Sequence, residues 1–298
     1  MTVVSVLFPI FFLVLVGFVF SRTLRSAIEP LTQFSLYVGT PALMMYALLQ
    51  NPVPAAELGR LLVITLSYTA ILWGIAEAVA RLMGLDEKLR RAFALAVVPM
   101  NVGNFGIPLS RLAFGPAADA YSVLVFVIFN IPLATWAIWM AAGGGSSPWK
   151  GLKEILRIPI VWATVVAFGL AVLRVQLPGP LMKSLGMLGE ATIPLLMVIV
   201  GMQLERTIVL GNATGSLVTA TLLRLVVSPF LAWGLTVMLG FTGLEQKVVI
   251  LQTSTPAAVL PLLYALRFDC RPDWIASNLL VSTLASGVTL AILLHILL

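Results

Sequence analysis

The stretch Ala94-Leu-Ala-Val-Val-Pro99-Met-Asn101-Val-Gly103-Asn104-Phe-Gly106-Ile-Pro108-Leu109 decides how this chain folds. It lies in an apolar run, 91–112, long enough for one membrane-spanning helix. Yet two prolines, two glycines and two asparagines fall between Pro99 and Pro108. Each proline removes a helical N–H and clashes with the carbonyl four residues back, and each glycine weakens a helix. At membrane depth such backbone survives only where protein or an aqueous cavity satisfies its polar groups. A break also exposes a fresh helix N-terminus, with free N–H groups and partial positive charge, which suits a carboxylate. Asn101 and Asn104 are good helix caps that both donate and accept hydrogen bonds. The matching C-terminal ends present free carbonyls that suit a cation.

The surroundings require lipid. Of 298 residues, 60% are hydrophobic and 10% charged, against roughly 25% charged in a soluble domain. The mean hydropathy of +1.06 agrees. A soluble enzyme, a nucleic-acid binder and a disordered chain are excluded. The net charge of +6 fits basic residues gathered in cytoplasmic loops, not a nucleic-acid surface. Cys270 is the single cysteine, so no intrachain disulfide or cysteine metal cluster can form, and the single histidine, His295, is given no role.

Ten apolar segments are expected to span the membrane: 3–20, 31–49, 61–83, 91–112, 119–142, 159–177, 185–203, 216–241, 246–267 and 273–297. No positive residue precedes the first, and Arg22 and Arg25 follow it, so it reads as an uncleaved helix. The odd-numbered connections hold Arg22, Arg25, Arg81, Lys88, Arg90, Arg91, Lys150, Lys153, Arg157, Arg206, Arg267 and Arg271. The even-numbered ones hold Arg60, Arg111, Arg174, Lys183 and Lys247. This bias places the odd connections in the cytoplasm and both termini outside the cell (inner) membrane. Asn212-Ala213-Thr214 matches a glycosylation sequon, but on that topology it is cytoplasmic.

The spans divide into two fives. The linker 143–158 starts with Gly143-Gly144-Gly145-Ser146-Ser147-Pro148 and continues into a basic run. Residues 1–142 form the expected first repeat and 159–298 the second. Pro41 and Pro108 lie 67 residues apart, as do Pro194 and Pro261. Segment nine, Leu251-Gln252-Thr253-Ser254-Thr255-Pro256-Ala-Ala-Val-Leu-Pro261, repeats the logic of segment four: polar groups and two prolines inside an apolar span. An odd number of spans per half makes the repeat inverted, and corresponding broken spans in inverted repeats point to a secondary transporter's binding site. The expected fold is therefore all-α and polytopic, with broken, crossing helices four and nine. Candidate substrate contacts are Asn101, Gly103, Asn104, Gly106, Gln252, Ser254, Thr255 and Pro256, and candidate hinges are Pro99, Pro108, Pro256 and Pro261.

Three further charges lie within or near spans. Glu77 and Arg224 fall at similar depth from the cytoplasmic side and are expected to pair, with coupling-proton carriage by Glu77 as the alternative. Glu190, near an outer end, is expected to stay solvated. Several of the seven tryptophans are expected at the membrane interfaces.

At the two breaks the chain resembles the auxin efflux carrier family, which includes plant auxin exporters and bacterial dicarboxylate permeases. Asn101-Val-Gly-Asn-Phe-Gly106-Ile-Pro108-Leu109 resembles the family's Asn-x-x-x-x-Gly-hydrophobic-Pro signature, and Pro256-Ala-Ala-Val-Leu-Pro261 with Tyr264 and Asp273 resembles its second crossover. The resemblance implies a fold similar to bile acid:sodium symporters. Spans 1, 2, 6 and 7 would form a scaffold, and spans 3–5 and 8–10 a transport body that shifts like an elevator. It implies Asn101 as the substrate-contacting asparagine, Pro256 as the mark of the second crossover, and a homodimer. It also implies a small organic anion such as malate or malonate as substrate, with an aromatic carboxylate as runner-up. One departure stands out: bacterial members often carry an asparagine after the second crossover proline, and Ala257–Pro261 has none. No P-loop is present, so secondary transport is expected over ATP drive, with a channel or membrane sensor as the other class. No enzyme constellation and no cofactor is expected, and the coupling ion, proton or sodium, stays open.

Overall fold

The computed structural model describes residues 2–24, 27–143, 156, 159–206 and 215–298. Up to residue 143 it contains α1 (Val3–Leu24), α2 (Glu29–Phe34), α3 (Thr40–Gln50), α4 (Ala55–Leu82), α5 (Glu87–Val97), α6 (Ile107–Phe114), α7 (Asp119–Pro132) and α8 (Ile138–Ala141). Beyond residue 158 come α9 (Pro159–Val172), α10 (Gly179–Arg206), α11 (Gly215–Leu222), α12 (Ser228–Met238), α13 (Gly243–Thr253), α14 (Leu260–Phe268) and α15 (Pro272–Leu297). The only β pairing among the described residues is one isolated antiparallel bridge.

Prolines shape these helices in a consistent way. Wider, π-helical turns occupy Ser35–Gly39, Val102–Gly106, Leu133–Ala137 and Leu223–Val227. Three of them end two residues before a proline: Pro41, Pro108 and Pro229. A proline cannot donate to the carbonyl four residues back and its ring crowds that carbonyl. Widening the preceding turn by one residue relieves the clash and keeps the chain helical. Thr40, Ile107 and Ser228 accordingly donate to Ser35, Val102 and Leu223, five residues back.

Six helices among the described residues are long and apolar enough to cross a bilayer: Val3–Leu24, Ala56–Leu82, Pro116–Ala141, Gly179–Arg206, Gly215–Met238 and Pro272–Leu297. Four of the ten expected segments are thus not single unbroken spanning helices. Segments 91–112 and 246–267 are each two short helices, α5 with α6 and α13 with α14, because their prolines, joined in the first by Gly103 and Gly106, break them. Segment 31–49 is divided by a π turn into α2 and α3. Segment 159–177 yields only the 14-residue α9. The chain turns out of it through Arg174 at φ 53°, and the Val175 amide donates back to the Leu170 carbonyl at 2.9 Å. Apart from Gly143 and Leu156, the expected linker lies outside the described residues, as does the sequon at 212–214.

The helices pack as two groups. In the first, α1 runs along α10, and α3 lies against α9 and α10. Two glycines let α1 and α10 touch backbone to backbone. A Cβ on Gly17 would lie 2.9 Å from the Val198 Cα, and one on Gly201 only 2.7 Å from the Phe18 nitrogen. The π turn before Pro41 also meets α10 near Pro194, since a Cβ on Gly39 would strike the Thr192 side chain. In the second group α4 packs on α5, α7 and α12, α13 on α7 and α12, and α15 on α5, α11 and α14. Ala92–Val97 of α5 and Val248–Thr253 of α13 are buried throughout, whereas α1 and α9 turn Phe8, Phe12, Trp162 and Val165 outward. The two buried helices are the two that break.

Candidate functional site

Both breaks occur at the same place in space. After α5 the chain is irregular through Pro99, Met100 and Asn101, and after α13 it is irregular through Thr255 to Ala258. Met100 and Ala257 form the antiparallel bridge. The Asn101 amide donates to the Pro256 carbonyl at 2.9 Å, and the Ala258 amide donates to the Pro99 carbonyl at 3.2 Å. The exchange is reciprocal: each proline supplies a carbonyl to the amide two residues beyond the other proline. Backbone groups that the prolines free from helices are thereby satisfied by each other, without water.

The C-terminal ends of α5 and α13 converge on one side chain. Arg224, in the π turn between α11 and α12, is fully buried. Its Nη1 donates to the carbonyls of Val97 and Val98 at 3.0 and 3.1 Å. Its Nη2 donates to the Thr253 carbonyl, to Tyr68 Oη at 2.8 Å and to Ser228 Oγ at 2.7 Å. Tyr68 and Ser228 themselves donate to the Thr253 carbonyl at 3.2 and 2.9 Å. The expected pairing of Glu77 with Arg224 is thus not formed. Glu77 instead binds Arg81 at 2.8 Å and Arg90 at 3.0 Å, tying α4 to α5. The sequence places both groups at one depth but cannot show that carbonyls at two helix ends already serve the arginine. The signal available was Ser228, one helical turn after Arg224. A cavity of about 250 Å³ lies beside the Glu77 cluster, away from the bridge, lined by Trp73, Trp139, Arg81, Arg90 and Arg91. Trp73 stacks edge-on with Trp136 and Trp139 there.

On the N-terminal side the groups disperse. Asn101 is buried, with 7% exposure, and its carbonyl accepts from the Gly106 amide at 2.9 Å. Gly103 and Asn104 line a cavity of about 70 Å³ with Thr32, Ser35, Phe126 and Leu196. Thr32 in α2 and Ser35 in the π turn after it pack on α10 of the first group, and Phe126 belongs to α7 of the second, so this cavity lies between the groups. Ser35 Oγ is buried without a hydrogen-bond partner among the described residues. Sequence reasoning missed Thr32, Ser35 and Phe126; Pro41, six residues after Ser35, was the nearest sign in the sequence.

The polar run of the second break does not face that cavity. Ser254 donates to the Ile250 carbonyl at 2.6 Å and Thr255 to the Gln252 carbonyl at 2.7 Å, closing the end of α13. Gln252 is fully buried, reaching Ser110 Oγ at 3.4 Å, and its Oε1 has no partner among the described residues. A Cβ on Gly106 would strike that oxygen, so Gly106 is the floor on which Gln252 rests. Pro108 and Pro261 each take the second position of the helix after a break, where a missing N–H costs nothing. Glu190 is exposed as expected, 3.9 Å from Arg111, which also binds Asp119.

The family profile described as "Membrane transport protein" matches residues 147–294. An uncharacterized transporter of Methanothermobacter thermautotrophicus is 32% identical over 237 residues, which cover 76% of this chain and 72% of that protein. The chain belongs to the auxin efflux carrier family of membrane transport proteins. It is a multi-pass membrane permease. An uncharacterized transporter of Methanocaldococcus jannaschii is 26% identical over 70% of the chain and 68% of its own length. A Rhizobium meliloti protein provisionally named a malonate transporter is 24% identical over 99% of the chain and 95% of its own length.

Proposed function

We propose that this permease is a secondary carrier of a small organic anion, a dicarboxylate such as malonate or malate, in the cell membrane. The observation that carries the reading is the back-to-back joining of two broken helices through one reciprocal bridge. That arrangement leaves the first turn after Asn101 with N–H groups and a partial positive charge suited to a carboxylate. The family membership and the name of the Rhizobium meliloti relative support malonate as the first substrate to test.

In this reading the chain crosses the membrane ten times as two inverted repeats. The 22 residues of α1 and the proline-punctuated α3, α9 and α10 form the scaffold. The second group of helices is the transport body, which moves past the scaffold as an elevator. The cavity between the groups, about 70 Å³, is well below the ~300 Å³ of a working ligand pocket. The body must therefore shift before a substrate enters, and Asn101, Gly103 and Asn104 would contact it. Both termini lie outside, and scaffolds pair in a homodimer.

The test is counterflow of labelled malonate and malate in proteoliposomes. Uptake that needs trapped internal dicarboxylate and is lost in Asn101→Ala supports the reading. Saturable exchange of an aromatic carboxylate instead would change the substrate. Flux that neither saturates nor exchanges would make the chain a channel.

A further inference from the structure

We infer that Arg224 is the resident cation of the crossover, filling the position between the two helix C-termini that a coupling sodium ion would otherwise occupy. The inference rests on the carrier reading above and specifies how its transport is driven. Where two broken helices end at one point, their last carbonyls carry roughly half a negative charge each. In carriers built on paired breaks, such ends commonly coordinate the coupling cation. Here the carbonyls of Val97, Val98 and Thr253 all accept from one guanidinium. Its single positive charge matches the two half-charges. An arginine, unlike a lysine, keeps its charge when buried.

Three observations make this a built site and not a chance contact. Arg224 has no exposed surface. It forms no carboxylate ion pair among the described residues, so the carbonyl ends and two hydroxyls are its only counter-groups there. Ser228 and Tyr68 bind both the guanidinium and the Thr253 carbonyl, completing a closed ring of donors and acceptors. The π turn at Leu223–Val227, a device found often at functional sites, carries the arginine into it. A sodium ion at this point would displace hydrogen bonds and meet a like charge. The consequence is that flux needs no sodium, and the fixed charge travels with the crossover through the cycle.

The test compares wild type with Arg224→Lys and Arg224→Ala. Wild-type malonate exchange and melting temperature should be the same in sodium chloride and choline chloride. Purified Arg224→Ala should melt lower, and low-millimolar methylguanidinium or sodium should raise its melting temperature while leaving wild type unmoved. Arg224→Lys, which keeps a charge but cannot fork between two helix ends, should fall between them. Wild-type exchange that drops tenfold or more without sodium would overturn the inference and leave the carrier reading standing. So would an Arg224→Ala protein that folds but ignores small cations. If no carboxylate exchanges, the carrier reading falls, while the melting experiments still decide the role of Arg224. If Arg224→Ala does not fold, the sodium arm on wild type and the Arg224→Lys protein decide it.

Discussion

Replacing Gly201 by alanine should weaken the protein, whereas the same change at Gly74 should strengthen it. Both glycines lie inside long helices, α10 and α4. A helix gains roughly 1 kcal/mol when an interior glycine becomes alanine. At Gly74 a new Cβ meets nothing within 4 Å, so that gain stands alone. At Gly201 the Cβ would lie 2.7 Å from the Phe18 nitrogen and 2.8 Å from the Val14 carbonyl carbon. Ordinary contact begins near 3.4 Å and the Val14 carbonyl oxygen is nearer still, so α1 must retreat by more than 0.7 Å. The obstacle is helix backbone and cannot rotate aside. Small residues at such contacts are what hold helices together in lipid, so the retreat loosens the whole α1–α10 seam. Overpacking of this kind costs about 1–3 kcal/mol net, more than the propensity gain. At ~2–4 °C per kcal/mol, Gly201→Ala should melt at least ~2 °C below wild type and Gly74→Ala slightly above it. Fluorescence melting of the purified proteins in one detergent reads both. A Gly201→Ala protein that melts at or above wild type would refute the close-contact argument.

Gly103→Ala places a Cβ 2.6 Å from the Phe126 ring, which can swing. Exchange should fall more than melting temperature, the reverse of Gly201→Ala, as paired flux and melting data would show. In double-mutant cycles Glu77 and Arg90, 3.0 Å apart and half-buried, should couple by about 0.5–1 kcal/mol. Glu77 and Arg224 share no partner and should add within ~0.5 kcal/mol, and a larger coupling would restore the pairing that the sequence suggested. Lys88, 2.5 Å from the exposed Asp269, holds that carboxyl below its ordinary value. Its folded value then lies below its unfolded one, so the contribution is complete at neutral pH and is lost as pH falls through the folded value. Asp269→Asn should flatten the acid side of a plot of melting temperature against pH, and an unchanged acid side would count against the pair.

Much of the fold was legible because membrane chains obey few rules strictly. Apolar runs fixed where helices lie, and proline with glycine fixed where they break, since in lipid no water can replace a lost hydrogen bond. The Pro99 and Pro256 breaks were readable for that reason. Helix lengths were not: whether a proline breaks a helix, as at Pro99, or only widens a turn, as before Pro41, depends on what packs beside it. The site was legible in part. Asn101, Gly103 and Asn104 could be found from local backbone chemistry, but apart from Ser228 the partners of Arg224 lie 29 to 156 residues away in sequence. No spacing rule reaches that far. Ser254 and Thr255 looked like a binding run because hydroxyls in a membrane span are conspicuous. Their bonds to Ile250 and Gln252 are the local backbone bonds that Ser and Thr favour at a helix end.

The two breaks also differ by one helical turn, and this difference bears on which half contacts the substrate. The reciprocal bridge makes Pro99 the counterpart of Pro256, an offset of 157 residues. Pro41 with Pro194, and Pro108 with Pro261, give an offset of 153. The first break is therefore four residues longer between its bridge and its next helix. The added length is taken up in the five-residue π turn Val102–Gly106, which carries Gly103 and Asn104 to the cavity between the helix groups. After Pro256 the chain enters α14 at Leu260 with no such turn and no asparagine. The missing second asparagine and the missing turn are thus one feature, not two. The proposed anion would be held chiefly by the first repeat, while the second contributes its bridge and, through Thr253, an anchor for Arg224. Moving an asparagine to position 257 or 258 alone should then fail to tighten binding of malonate, because the turn that would aim it is absent. Tighter binding by Ala258→Asn, read as a lower half-saturating concentration in counterflow, would show that the second break already faces the substrate.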